Sequence, residues 1–239
     1  MALPKISVPE YTTTLPSTEE EIRYRPFLVK EEKVLLIALE SEDEKLINDA
    51  IVKIVNECTN GAVGYSHTPI FDLEYMFLNI WAKSVGDVLD LTVICPDDGE
   101  TEVGIKVKIE DITVMNKEGH TNVVDLTDDI KIVMSYPTSA TSRQIAAAGQ
   151  EEKSSTEITF DLIKSSIEEI HEGETVHRRV DISKKEMDEF FESLQTDMLE
   201  KLNEFFDTMP KLQHVVKVKN PKTKKMNEVN LEGLSDFFV

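Results

Sequence analysis

Cysteine is scarce in this chain: Cys58 and Cys95 stand alone in 239 residues. Two cysteines exclude a four-thiolate metal site and a multi-disulfide framework; a single Cys58–Cys95 bridge is the alternative to the free thiols in a reducing compartment that are expected. Glycine is equally sparse, at 9 residues, and forms neither a P-loop nor a dinucleotide fingerprint. Cations are short as well. Asp and Glu number 46 against 26 Lys and Arg, and the net charge of −20 repels nucleic acid and anionic membrane surfaces alike. No apolar run approaches the ~18 residues of a membrane span, and the proline-punctuated opening MALPKISVPEYTTTLPSTEEE lacks the form of a secretion signal.

What remains is a soluble chain, 40% hydrophobic and 30% charged, with enough length for a real core. The pattern reads as α+β, with helices packed on small antiparallel hairpins. Residues 1–20 read as an extended arm and 21–137 as an α+β core. Residues 138–155, rich in small side chains, read as a flexible loop or linker, or as a weak helix. Residues 156–239 read as a helical C-terminal region closed by a hairpin.

Within the core, a strand from Glu21 precedes a helix carrying Val34, Leu35, Leu36 and Leu39, apolar nearly all round at its end and so expected to be buried. A second helix, about 42–57, spaces Leu46, Ile47, Ala50, Ile51, Ile54 and Val55 along one stripe, with Ser41 and Glu44 in the form of a capping box. A third, Phe71 to Lys83, carries Leu73, Phe77, Ile80 and Trp81. Alternating runs around Asp98-Gly99 predict a hairpin, and a strand at 130–136 is expected to complete its sheet. Further on, a helix is expected near 159–171, and a long amphipathic helix from Lys184 to Met209, started by a Ser183/Glu186 capping box.

Candidate chemistry is thin. His67, His120, His171, His177 and His214 are scattered, and no H-E-x-x-H or G-x-S-x-G is present. The acidic turn Asp97-Asp98-Gly99-Glu100 lacks the ligand alternation of a calcium loop and reads as a hairpin tip. VICPDDG and VKVKNPKTKK each look like the knuckle end of a zinc ribbon, but with one cysteine between them both read as metal-free hairpins. No catalytic, metal or cofactor residue can be named. Two apolar groups remain. The stripe Phe190, Leu194, Phe205 and Phe206 either covers the chain's own sheet or docks on a partner. Leu231, Leu234, Phe237 and Phe238 bring a second group into a groove of the long helix or of a partner.

Three segments carry a resemblance: LPKISVPEYTTTLPSTEEEIRYRPFLVKEEKVLLIALES, FDLEYMFLNIWAKSVGD, and a tail containing FFDTMPKLQH and LEGLSDFFV. In these the chain resembles the baseplate hub assembly family of T4-type contractile-tailed phages. The resemblance implies a non-enzymatic factor, without cofactor, that binds other hub proteins in the host cytoplasm while the tail is built. A permanent subunit of the virion baseplate and a hydrolase of assembly or infection are the alternatives.

Overall fold

Backbone pairing begins at Tyr11. The computed structural model describes residues 6–148 and 154–238. β1 (Tyr11–Thr14) pairs antiparallel with β2 (Glu21–Tyr24), whose alternation turns Ile22 and Tyr24 inward. Pro26 ends the strand, and α1 (Val29–Glu40) starts with the Glu31 carboxylate accepting the Leu28 N–H at 2.8 Å. α2 (Glu44–Cys58) is capped by Asp43, whose side chain accepts the N–H groups of Lys45 and Leu46. The box expected at Ser41 is therefore corrected: Ser41 closes α1, its hydroxyl donating to Ala38 O at 2.6 Å, and Glu42 at φ 53° turns the chain between the helices. α3 (Ile70–Ser84) is the most deeply buried of these helices, with Phe71, Leu73, Met76, Phe77, Leu78 and Ile80 inside.

β3 (Val88–Ile94) and β4 (Glu102–Lys108) form the expected hairpin, followed by β5 (Thr113–Met115). Here the chain leaves its first compact unit and builds a second from Asn116 to Pro210. The strand expected to join the β3–β4 sheet is β7 (Ile130–Met134), and it belongs to this second unit. It pairs with β6 (Val123–Asp125) on one side and β8 (Ile167–Glu172) on the other, with β9 (Thr175–Arg178) at the far edge, all antiparallel.

Between β7 and β8 lie α4 (Ser139–Ala148) and α5 (Ser155–Ser166), so of the two readings of 138–155 the helical one describes 139–148; residues 149–153 lie outside the described residues. The helix expected to reach His171 stops at Ser166. Ile163, Ile167 and Ile170 keep a helical spacing, but the β-branched pair Ile167 and Ile170 instead faces the core from a strand.

The long helix also divides. α6 (Lys184–Glu192), started by the Ser183/Glu186 box, ends where the Ser193 hydroxyl donates to Phe190 O at 2.6 Å. Gln195 is extended (φ −80°, ψ 161°), and α7 (Thr196–Thr208) begins anew. Ile132, Ile163, Ile167 and Leu202 are fully buried at the centre of this unit.

The chain returns to the first unit at Lys211. β10 (Lys211–Lys219) pairs with β5 on one side and with β11 (Met226–Glu232) on the other. α8 (Ser235–Phe238) then places Phe237, 1% exposed, in the core with Leu231 and Leu234.

Candidate functional site

The sequence-predicted partner residues fall into both cores. On α6 and α7, Phe205 is buried and stacks on Tyr136 at 5.5 Å, while Phe190, Leu194 and Phe206 are half-buried against the same cluster. This stripe covers the second unit's own core and leaves only its rims to solvent. Leu231, Leu234 and Phe237 are buried in the first core, and half-buried Phe238 meets Trp81 edge-on at 4.8 Å and Phe77 at 5.4 Å. The groove that receives this tail is formed by α3, not by the helices at 184–208.

An apolar surface appears where none was expected. α1 exposes Val29 (78%), Leu36 (53%) and Ile37 (57%), and α2 adds exposed Leu46. The helix is apolar on two sides because Leu35 and Ala38 face the core while Leu36 and Ile37 face water. The expectation that it is buried all round is thereby corrected.

The polar groups act chiefly as ties. Asp72 on α3 accepts both the N–H (3.1 Å) and the hydroxyl of Ser17; burial raises its pKa, and these bonds oppose the rise. Two residues along, Glu74 accepts the Leu234 N–H at 3.1 Å, and burial holds its pKa up at about 7. α3 thus fastens the segments at both ends of the described chain. Buried Glu31 accepts Arg25 Nη2 at 2.8 Å; burial raises its pKa, but the bonds from Arg25, the Leu28 N–H and Lys30 outweigh that and bring it to about 2.

Groups with chemical potential are occupied or muted. Burial pushes the Cys58 thiol up to about 11 and raises Cys95 as well, which removes the thiolate a nucleophile needs. His120 has both ring nitrogens engaged, at 3.0 Å from Thr208 Oγ1 and 3.0 Å from Tyr136 Oη, and burial lowers its pKa toward the neutral form. A concavity of about 610 Å³ is lined by Glu10, Tyr11, Thr12, Arg23, Tyr24 and Lys83, a set with a single carboxylate and no histidine. Among the described residues no cluster of His, Cys, Asp and Glu is placed to hold a metal.

The most constructed polar assembly lies between two hairpin tips and was missed residue by residue in the sequence. Asn220, fully buried at the end of β10, donates through Nδ2 to Asp97 Oδ1 (2.8 Å) and Asp98 Oδ2 (2.9 Å) beyond β3. Thr223 Oγ1 donates to Asp97, and the Asp97 N–H donates to Asn227 Oδ1 at 3.1 Å. Bonds from Thr223 and Asn220 lower the Asp97 pKa; Thr101 and Asn220 do the same for Asp98.

Fold and sites together define an α+β protein whose assembled polar groups fasten its own segments and whose free feature is apolar surface. The chain belongs to the T4 bacteriophage base plate protein family, whose model matches residues 8–239. Comparison with curated proteins and with solved structures gave no match. Membership gives the chain a structural or assembly role in the phage tail baseplate, among other baseplate proteins. Among the described residues no helix is long and apolar enough to cross a membrane.

Proposed function

We propose that this chain is an assembly factor of the baseplate hub, one that binds other hub proteins in the host cytoplasm during contractile-tail morphogenesis and carries out no catalysis. The observation that carries the reading is the family match through residues 8–239. The outer face of α1 supports it, because Val29, Leu36 and Ile37 leave apolar area in water that a stable partner would cover. The rims of Phe190, Leu194 and Phe206 are the second contact we assign. The occupant is a hub protein whose apolar contact is ringed by basic residues. A chain of net charge −20 attracts such a surface and repels its own copies.

Deletion of the gene tests the reading. Infected cells should accumulate heads and lack complete tails, and a normal tail yield refutes it. The second reading, a permanent hub subunit, is separated by quantitative mass spectrometry of purified particles. A fixed copy number supports the subunit, and absence supports the transient factor.

A further inference from the structure

Two turns of the first unit follow one plan. One reads Cys95-Pro96-Asp97-Asp98-Gly99, the other Asn220-Pro221-Lys222-Thr223-Lys224. In each, the first residue's carbonyl accepts the N–H of the fifth, from Gly99 at 2.9 Å and from Lys224 at 3.0 Å. Each fifth residue stands at positive φ, 69° at Gly99 and 65° at Lys224. Glycine adopts that conformation freely; a lysine held there costs about 1 kcal/mol or more, so the turn geometry is imposed on it. Each first residue's N–H returns to the outgoing chain, Cys95 to Thr101 O at 2.8 Å and Asn220 to Lys225 O at 2.9 Å. First and fourth positions, Cys95 with Asp98 and Asn220 with Thr223, carry the two-residue spacing of paired thiolate ligands in structural zinc sites. The tips face each other closely enough for the side-chain bonds between Asn220 and Asp97, Asn220 and Asp98, and Thr223 and Asp97.

We propose that the two tips are a paired-knuckle scaffold in which a hydrogen-bonded amide does the work of a metal ion: positions 95, 98, 220 and 223 stand where the four ligands of a zinc knuckle pair would stand, and the Asn220 side chain, bonded to Asp97 and Asp98, joins the tips in place of the ion. The donor set decides this. Asn220 Nδ2 presents its hydrogens to two carboxylates, where a cation cannot sit beside it. Asn220 Oδ1 accepts the N–H of Lys222 at 2.7 Å and of Thr223 at 3.1 Å, so every donor and acceptor of this buried amide is satisfied inside the clasp. Buried Cys95 keeps one of these positions in the residue type a metal would need. The native clasp therefore ties the β3–β4 hairpin to the β10–β11 hairpin without metal.

The test restores the missing ligands. Full-length protein carrying Asp98→Cys, Asn220→Cys and Thr223→Cys is titrated with Co²⁺ and then Zn²⁺, beside the native chain and a third form that adds Cys95→Ala to the three substitutions. The expected result for the triple variant is one Co²⁺ per chain, with tetrahedral thiolate absorption, displaced by one Zn²⁺ that raises the thermal midpoint. The native chain should show no such absorption and no change of midpoint with EDTA, and Cys95→Ala should weaken Co²⁺ binding at least tenfold. If the triple variant folds only with Zn²⁺, the proposal is supported. A folded triple variant without the tetrahedral spectrum, failure to fold with or without metal, indifference to Cys95→Ala, or a native midpoint lowered by EDTA would each overturn it.

Discussion

Glu74→Gln should stabilise this protein at alkaline pH, by an amount that shrinks as pH falls and vanishes below about pH 4. Glu74 Oε1 lies 3.1 Å from the Leu234 N–H, at the bend where Gly233 (φ 71°) leads β11 into α8. Burial raises its pKa to about 7, the charge of Glu232 adds to the rise, and the Leu234 bond only partly opposes it. The unfolded chain releases this proton near pH 4.3, so between that value and about 7 the native state holds a proton that the unfolded state has lost. The group's contribution is fully present below the unfolded pKa and is lost as pH rises through the folded one. At about 1.4 kcal/mol per unit, the ionised carboxylate costs up to about 3.5 kcal/mol above pH 8. Glutamine keeps a carbonyl for Leu234 and never ionises.

Urea unfolding of both proteins between pH 5 and 8.5 measures the difference. It should be about 1 kcal/mol at pH 5, where the unfolded carboxyl is already largely ionised, and should grow to about 3 kcal/mol or more in favour of the variant at pH 8.5. A constant difference across the range, or an advantage of the variant that is smaller at pH 8.5 than at pH 5, would refute the linkage.

Phe237→Ala should cost about 3–5 kcal/mol, because the ring is 1% exposed, and truncation after Glu232 should lower the thermal midpoint further; an unchanged midpoint in calorimetry counts against α8 as core. Leu36→Asp with Ile37→Asp should change stability by no more than about 1 kcal/mol while abolishing tail assembly in complementation, since both side chains face water; full complementation removes α1 as the docking face. Arg25→Ala should destabilise by about 1–3 kcal/mol at pH 7 by stranding the buried Glu31 carboxylate. That native contribution is present above pH 4.3 and is lost as pH falls toward the Glu31 value of about 2, so acid unfolding curves of the two proteins should converge.

Local signals in the sequence were strong where one interaction governs. α3 was legible because its large apolar residues recur on one face, and the β3–β4 hairpin because Asp98-Gly99 needs a turn. Pairing between distant segments was not legible: nothing in Thr113–Met115 announces a partner at Lys211–Gln213. The stripe through Phe190 and Phe205 persisted across a broken helix because apolar spacing records which side chains face the core, whereas Ser193 decides whether the backbone bonds continue. α1 misled because an apolar patch has the same composition whether the covering surface belongs to this chain or to another. Asn220 was hidden for a related reason. The repeated proline turns were visible, but an amide at a ligand position becomes meaningful only once Asp97 and Asp98 are beside it.

The register that joins Met115 to Lys211 sets a timetable for the nascent chain. Leu212, Val218, Leu231, Leu234 and Phe237 all enter the first core from residues made after the inserted unit. At about 5–20 residues per second, a ribosome spends roughly 5–20 s on residues 116–210, and for that interval α3 has emerged with its later-made partners still unmade. The inserted unit has its own sheet and core, so it can fold ahead of the unit that began before it. The earliest synthesised half of this protein is thus the last to close, and until then the α3 face that receives Leu234 and Phe237 stays uncovered.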